Sequence, residues 1–155
     1  MITLTPGQML ASETRGQLRQ NYGEEQRLNP VGHASILSHT CGAMLEQATA
    51  NFLGIEVPDD WTLQGDRSRG GDLLLPDGTK IHCRSSMSGR YWWRPWDSQT
   101  GVWVFGTVEH APLIMLTGWL YAKECGKLTV PGKPYPIIPL LKTRPMESFT
   151  VTEVV

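Results

Sequence analysis

Side chains suited to handling a phosphate group stand close together in residues 70–86. Asp72 begins a run of leucines, the dipeptide Asp77-Gly78 follows, and His82 and Arg84 come two residues apart after it. Asp-Gly between apolar runs predicts a β-hairpin, and residues two apart on a strand point to the same face of the sheet. An acid that binds a divalent ion and a cation that stabilises phosphoryl charge are parts of a metal-dependent phosphodiesterase. The hairpin is therefore a candidate for that chemistry.

A second acid, Glu46, lies in the strongest helix pattern of the chain, over residues 34–53. Gly54 provides the expected C-terminal cap. Together with Asp72 and the backbone carbonyl of Cys83, Glu46 would supply the oxygen ligands that magnesium prefers. The alternative is that Glu46 is a solvated carboxylate on the helix surface. The apolar stripe that predicts the helix consists of Leu37, Cys41, Met44, Leu45, Ala48 and Phe52.

The remaining elements that must position these residues are strands and loops. Residues 1–31 are polar and predict an arm or loosely docked extension, and residues 55–71 predict a connector. Strands are expected near 72–75, 79–85, 102–108 and 112–121, and the proline-rich chain from Gly126 onward predicts extended surface segments. One helix on a mixed sheet of three to five strands indicates a single α/β (α+β) domain. The expected boundaries are an arm at 1–31, a domain at 32–148 and a tail at 149–155.

Composition limits the function classes. The chain has 155 residues and a formal net charge of −1, so a single domain is expected and a nonspecific nucleic-acid coat protein is not. The three cysteines form no Cys-x-x-Cys pair, which argues against a zinc knuckle or a disulfide framework and for reduced thiols inside a cell. The first residues lack the pattern of a signal peptide, and the apolar runs are too short to span a bilayer.

An aromatic run follows the hairpin and carries three of the six tryptophans. Its rings could pack as core, bind a protein partner, or stack on nucleobases while Arg94 contacts a phosphate. Basic residues concentrate in the same third of the chain, which favours a DNA groove. The aromatic run is Tyr91-Trp92-Trp93-Arg94-Pro95-Trp96, and the basic residues are Arg67, Arg69, Lys80, Arg84, Arg90 and Arg94.

The order of these segments resembles the PD-(D/E)XK nuclease superfamily, and most of all its small phage and prophage members. The resemblance implies a restriction-endonuclease-like core, in which a mixed central sheet is flanked by helices and the site lies at the hairpin. It makes Asp72 the metal-binding aspartate and Glu46 the acid on the helix, with His82 at the (D/E) position and Arg84 at the Lys position. It further implies Mg²⁺ or Mn²⁺ as cofactor and the cytoplasm of a bacterial host. The matching segments are Gly42…Leu45-Glu46…Phe52-Leu53-Gly54, Gly71 to Gly78, Lys80 to Ser86, Leu116-Thr117-Gly118-Trp119 and Thr143 to Met146.

Two of the four site positions depart from the superfamily's pattern. Neutral imidazole at His82 is a poor ligand for magnesium, and the guanidinium of Arg84 cannot lose a proton at working pH. The sequence therefore predicts a DNA-associated protein that is either a variant metal-dependent deoxyribonuclease or a catalytically impaired DNA binder. The DNA-binding residues would be Arg67, Arg69, Lys80, Arg90, Trp92, Trp93, Arg94 and Trp96. The alternative is a non-enzymatic phage protein that binds a protein partner through its tryptophan-rich loop. A third interpretation makes His82 and Arg84 the solvent face of an ordinary hairpin.

Overall fold

A mixed five-stranded sheet organises the chain. The computed structural model describes residues 1–25, 36–58 and 72–150, with the side chains of the first range described to residue 21. Two helices cover one face of the sheet, and a short helix and a two-stranded sheet cover the other. The predicted single domain with a mixed α/β architecture is confirmed.

The strand order is β1-β6-β5-β3-β2. Strands β3 and β5 are parallel, and the other neighbours are antiparallel. The predicted hairpin is confirmed, because Leu73 pairs with Ile81 and the turn glycine, Gly78, has a φ of +87° that favours glycine. The strands are β1 Ile2–Thr3, β2 Leu73–Leu74, β3 Lys80–Ser86, β4 Tyr91–Trp92, β5 Val102–His110, β6 Leu113–Tyr121 and β7 Ile137–Ile138.

Helix α2, Ile36–Leu53, packs directly on the sheet and confirms the predicted helix. Its residues Cys41, Leu45 and Ala48 are buried in a cluster with side chains of β5 and β6. Leu45 approaches β5 so closely that a Cβ at Gly106 would collide with it. Gly54, with φ +68°, ends the helix as expected. Glu46 is buried between this helix and the N-terminal helix described next, rather than exposed on the helix surface.

Helix α1, Pro6–Glu25, packs along α2. The prediction of a loosely docked arm is therefore wrong for this segment. The buried stripe of α1 is polar or small: Ser12, Gly16 and Arg19. A Cβ at Gly16 would collide with Thr40, so glycine permits the close approach of the two helices. Within the described residues, no helix is both long enough and apolar enough to cross a bilayer.

The opposite face of the sheet is covered by elements that the sequence pattern did not predict. The expected loop after β3 contains β4, which pairs with β7 from the proline-rich tail. Helix α3, Ala122–Leu128, follows β6 directly. This layer buries a mostly aromatic and aliphatic cluster, and Phe149 packs edge-on against Trp119 on the other side. The cluster comprises Tyr91, Trp103, Phe105, Leu120, Ala122, Cys125 and Ile138.

Candidate functional site

Two predicted acids lie near the thiol of Cys83, on the side of β3 that faces α2. Glu46 is buried and forms an ion pair of 2.5 Å with Arg19 of α1. The Asp72 carboxylate accepts a hydrogen bond of 2.7 Å from the backbone N–H of Cys83. Burial raises the pKa of the Cys83 thiol well above its usual value, and the negative charges of Asp72 and Glu46 raise it further. Asp72 and Glu46 therefore lie on the same side of β3.

His82 and Arg84 occupy the opposite face of β3. The His82 ring stacks on Trp103 at 4.8 Å between centroids, and its Nε2 lies 3.0 Å from the carbonyl oxygen of Thr100. The Arg84 guanidinium lies over the same indole, 4.6 Å from the ring centroid. Because side chains alternate along a strand, Cys83 faces α2 while its two neighbours face away. The predicted four-residue site is therefore wrong: His82 and Arg84 do not join Glu46 and Asp72.

His82 is suited to a neutral, packed state. Burial lowers its pKa, an effect that the hydrogen-bonding contact with Thr100 opposes only in part. The ring therefore serves as a packing element between β3 and Trp103. This arrangement also differs from the exposed hairpin face that the third interpretation expected, because His82 is only 4% exposed.

The described residues do not fit the magnesium or manganese site that the resemblance implies. Within them, no three His, Cys, Asp or Glu side chains are grouped so that they could share a metal ion. Glu46 is engaged by a guanidinium, and Asp72 extends the β-ladder by accepting a backbone N–H. His82 lies across the sheet from both acids. The chemistry of the described donors is therefore that of ion pairing and structural hydrogen bonding.

Arg84 organises the loop that follows β4. It forms two hydrogen bonds of 2.6 Å with the carboxylate of Asp97 and a further one with the carbonyl oxygen of Trp92. Asp97 also accepts the backbone N–H of Arg94 at 2.6 Å. The side chains of the pair are only 14% and 5% exposed. This bidentate ion pair fixes residues 92–97 against the end of β3.

A cleft opens at the same end of β3. Strand β2 pairs only with Lys80 and Ile81, and none of the other described residues pairs with the second half of that β3 edge. Side chains from both faces of β3 therefore reach the cleft, which has a volume of about 390 Å³. We call it the arginine–serine cleft, and its lining consists of Ser38, Cys83, Arg84, Ser85, Ser86, Ser88, Arg90, Trp92 and Arg94.

The arginine–serine cleft carries excess positive charge. Three guanidinium groups line it, and the only carboxylate paired with them in the described part of the chain is Asp97. Within that part, the side chains of Arg90 and Arg94 have no hydrogen bond or ion pair of their own. Burial lowers the pKa of Arg94, and the positive charge of Arg84 lowers it further. Such like charges, brought together around hydroxyl groups, favour the binding of an anion.

The aromatic run divides between core and surface. Trp93 is half-buried and packs edge-on against Trp103 at 5.7 Å between centroids. Trp92 and Trp96 are 37% and 63% exposed, and each makes an edge-on contact with Tyr135. Trp92 lines the cleft, whereas Trp93 does not. The exposed rings of Trp92 and Trp96 form an aromatic platform around Tyr135.

The other predicted binding residues have different outcomes. Arg90 and Arg94 line the cleft, as a basic groove requires. Lys80 stands at the first residue of β3 and does not line the cleft, which lies at the far end of the strand. Arg67 and Arg69 lie outside the described residues.

Sequence reasoning missed the serines of the cleft and the role of Asp97. A signal was present, because Ser85-Ser86-Met87-Ser88-Gly89-Arg90 is a run of hydroxyl groups that ends in a cation. Asp97 is the only acid between Asp77 and Glu109, and Arg84, Arg90 and Arg94 precede it in the sequence. An isolated acid in a basic segment is a candidate for an ion pair that positions the cations around it.

No family model, no curated protein and no solved structure matches the chain. The relation to the PD-(D/E)XK superfamily therefore rests on the sequence pattern and stays a hypothesis.

Proposed function

We propose that this protein binds DNA through the arginine–serine cleft. In this proposal, the described residues do not catalyse metal-dependent cleavage of the DNA. The observation that carries the proposal is the charge of the cleft, where, among the described residues, three arginines are paired with only one carboxylate, that of Asp97. Phosphate contacts by arginine provide most of the nonspecific affinity for nucleic acid. The serine hydroxyls add neutral donors for phosphate oxygens.

The aromatic platform extends this binding surface. Trp92 both lines the cleft and exposes part of its ring, so a base could stack on it while the adjoining phosphate contacts Arg90 or Arg94. Stacking of a base on an aromatic ring contributes about 1–3 kcal/mol and tolerates any sequence. The proposal therefore favours single-stranded over duplex DNA, because stacking requires unpaired bases.

Descent from a PD-(D/E)XK nuclease is part of the proposal and rests on the order of sequence segments. In this view α2 and the hairpin keep their relation, while Glu46 has become the partner of Arg19. Binding has moved to the open edge of β3. A phage or prophage origin and a place in the bacterial cytoplasm follow from the same resemblance.

A protein partner is the second candidate function. It is favoured by the exposure of Trp96, which at 63% is the most exposed tryptophan of the described residues. Tryptophan, tyrosine and arginine dominate the energetic centres of protein interfaces. Under this alternative, Trp96→Ala abolishes partner binding, whereas charge variants of the cleft change mainly the association rate.

The test is a fluorescence anisotropy titration of a labelled single-stranded oligodeoxynucleotide at several salt concentrations. The variant removes both unpaired cations, Arg90→Gln with Arg94→Gln. Its control, Lys127→Gln with Lys142→Gln, removes the same charge from exposed lysines outside the cleft. Each phosphate contact contributes about 0.7 to the slope of log affinity against log salt for single strands.

We expect the cleft variant to reduce the magnitude of the slope of log affinity against log salt by about 1.4. The control variant should leave this slope close to that of the wild type. Equal losses in the two variants would show that binding depends on general charge, and would refute the proposed cleft. Binding without salt dependence would refute phosphate contacts altogether.

A further inference from the structure

The arginine–serine cleft is small for a groove that follows a nucleic-acid strand. Its volume of about 390 Å³ falls within the usual range of small-molecule sites, which is roughly 300–1,000 Å³. Grooves that bind single strands without sequence preference hold about 4–16 nucleotides per domain and distribute their cations along the backbone. Among the described residues, Arg84, Arg90 and Arg94 line one cleft, whereas Lys80 stands at the other end of β3. A compact site of this kind suits one phosphate group better than a series of them.

The charge of the cleft matches a terminal phosphate better than an internal one. Among the described residues, three guanidinium groups and one carboxylate leave two positive charges at the cleft. A phosphodiester within a strand carries one negative charge, whereas a phosphomonoester carries about −1.5 to −2 at neutral pH and has three strong acceptor oxygens. The hydroxyls of Ser86 and Ser88 lie 3.5 Å apart at the cleft and supply donors from one side.

The position of Trp92 indicates what is attached to that phosphate. Trp92 is partly exposed and lines the cleft, and its carbonyl oxygen accepts a hydrogen bond from Arg84, which anchors the backbone of Trp92 beside the guanidinium groups. A planar base can stack on the ring while its own phosphate contacts Arg90 and Arg94. We infer that the arginine–serine cleft binds a nucleotide that bears a phosphomonoester, with the base stacked on Trp92.

This inference rests on the proposed function and narrows it. Two kinds of ligand carry a nucleotide with a phosphomonoester: a free mononucleotide and the phosphorylated end of a DNA strand. On a strand, the cleft recognises the end rather than the interior.

The experiment compares oligodeoxynucleotides of one sequence that carry a 5′-phosphate, a 3′-phosphate or no terminal phosphate. Each is labelled at the end opposite the phosphate under test, and unlabelled deoxyadenosine monophosphate and deoxyadenosine serve as competitors. We expect a terminal phosphate to strengthen binding at least about tenfold, as one additional charge-assisted contact would. We also expect the monophosphate to compete and the nucleoside to fail. The advantage of the phosphate should disappear in the Arg90→Gln, Arg94→Gln variant and persist in the Lys127→Gln, Lys142→Gln control.

The pH dependence of oligonucleotide binding by the wild-type protein provides an independent test. Because the second pKa of a phosphomonoester is about 6, the advantage of a terminal phosphate should decrease between about pH 7 and pH 5. Binding of the unphosphorylated strand should change much less over that range.

The outcomes separate this inference from the function on which it rests. Equal, cleft-dependent binding of all three strands would overturn the inference and leave the proposed function intact. Binding of the mononucleotide without any strand would support phosphomonoester recognition and overturn the proposed function. Absence of binding by every probe would overturn both.

Discussion

Substitution of Glu46 by glutamine tests whether this acid belongs to a metal site or to a structural ion pair. In the fold, Glu46 and Arg19 form a pair of 2.5 Å between α2 and α1, with side chains 4% and 9% exposed. The substitution removes the carboxylate that pairs with the buried charge of Arg19. Breaking a buried pair in this way costs about 3–5 kcal/mol of unfolding free energy. For a domain of this size, each kcal/mol corresponds to roughly 2–4 °C in Tm, so the expected decrease is about 6–20 °C.

Thermal and urea denaturation of the full chain would measure this effect. The double variant Arg19→Met, Glu46→Leu should recover most of the loss, because replacing both partners of a buried pair by apolar residues is often neutral. A matched control is Glu124→Gln, which breaks the half-exposed ion pair with Arg144 and should cost about 1 kcal/mol or less.

Two results would refute the structural role of Glu46. One is a loss for Glu46→Gln no larger than that of the Glu124→Gln control. The other is an increase of Tm with Mg²⁺ or Mn²⁺ in the wild type that Glu46→Gln abolishes, since ligands that bind only the folded state raise its stability.

Two further predictions concern helix packing and pH. Gly16→Ala should destabilise the protein by about 1–3 kcal/mol in urea denaturation, because its Cβ would collide with Thr40, while a Cβ at Gly7 in the same helix would make only an ordinary contact with Thr5, so Gly7→Ala should be neutral or slightly stabilising. Equal effects of the two substitutions would contradict the close helix contact. Burial lowers the pKa of His82 below its unfolded value, so the unfolded chain binds the proton more readily and stability should be lost as pH falls from about 7 to 5.5. His82→Gln should flatten this part of the pH profile, and an unchanged slope would show that His82 titrates normally.

Elements with a strong local signal could be predicted from the sequence. The apolar stripe of α2 and the Asp77-Gly78 turn both identified their structures, because burial of one helix face and a positive φ at Gly78 are local requirements. Helix α1 had no such signal. Its buried stripe is Ser12, Gly16 and Arg19, so a search for apolar periodicity passes over it.

The candidate site could be predicted only in part. Arg90, Arg94 and Trp92 were expected to bind a ligand, and they do line one cleft. The choice of His82 and Arg84 as partners of the acids was wrong, because residue spacing shows which strand positions share a face but not which face meets a helix.

The amino-acid sequence by itself determined the hairpin, the helix that packs on the sheet, the single mixed domain and the basic, aromatic character of the segment after β3. These properties depend on local backbone preference and on composition. Only the tertiary structure decided that Glu46 pairs with Arg19, that Asp97 holds Arg84, and that Arg84, Arg90 and Arg94 line one cleft at the end of β3. The physical reason is that ion pairs between distant segments depend on which surfaces pack together. A local pattern can mark an acid such as Asp97 as a candidate for pairing, but it does not identify the partner.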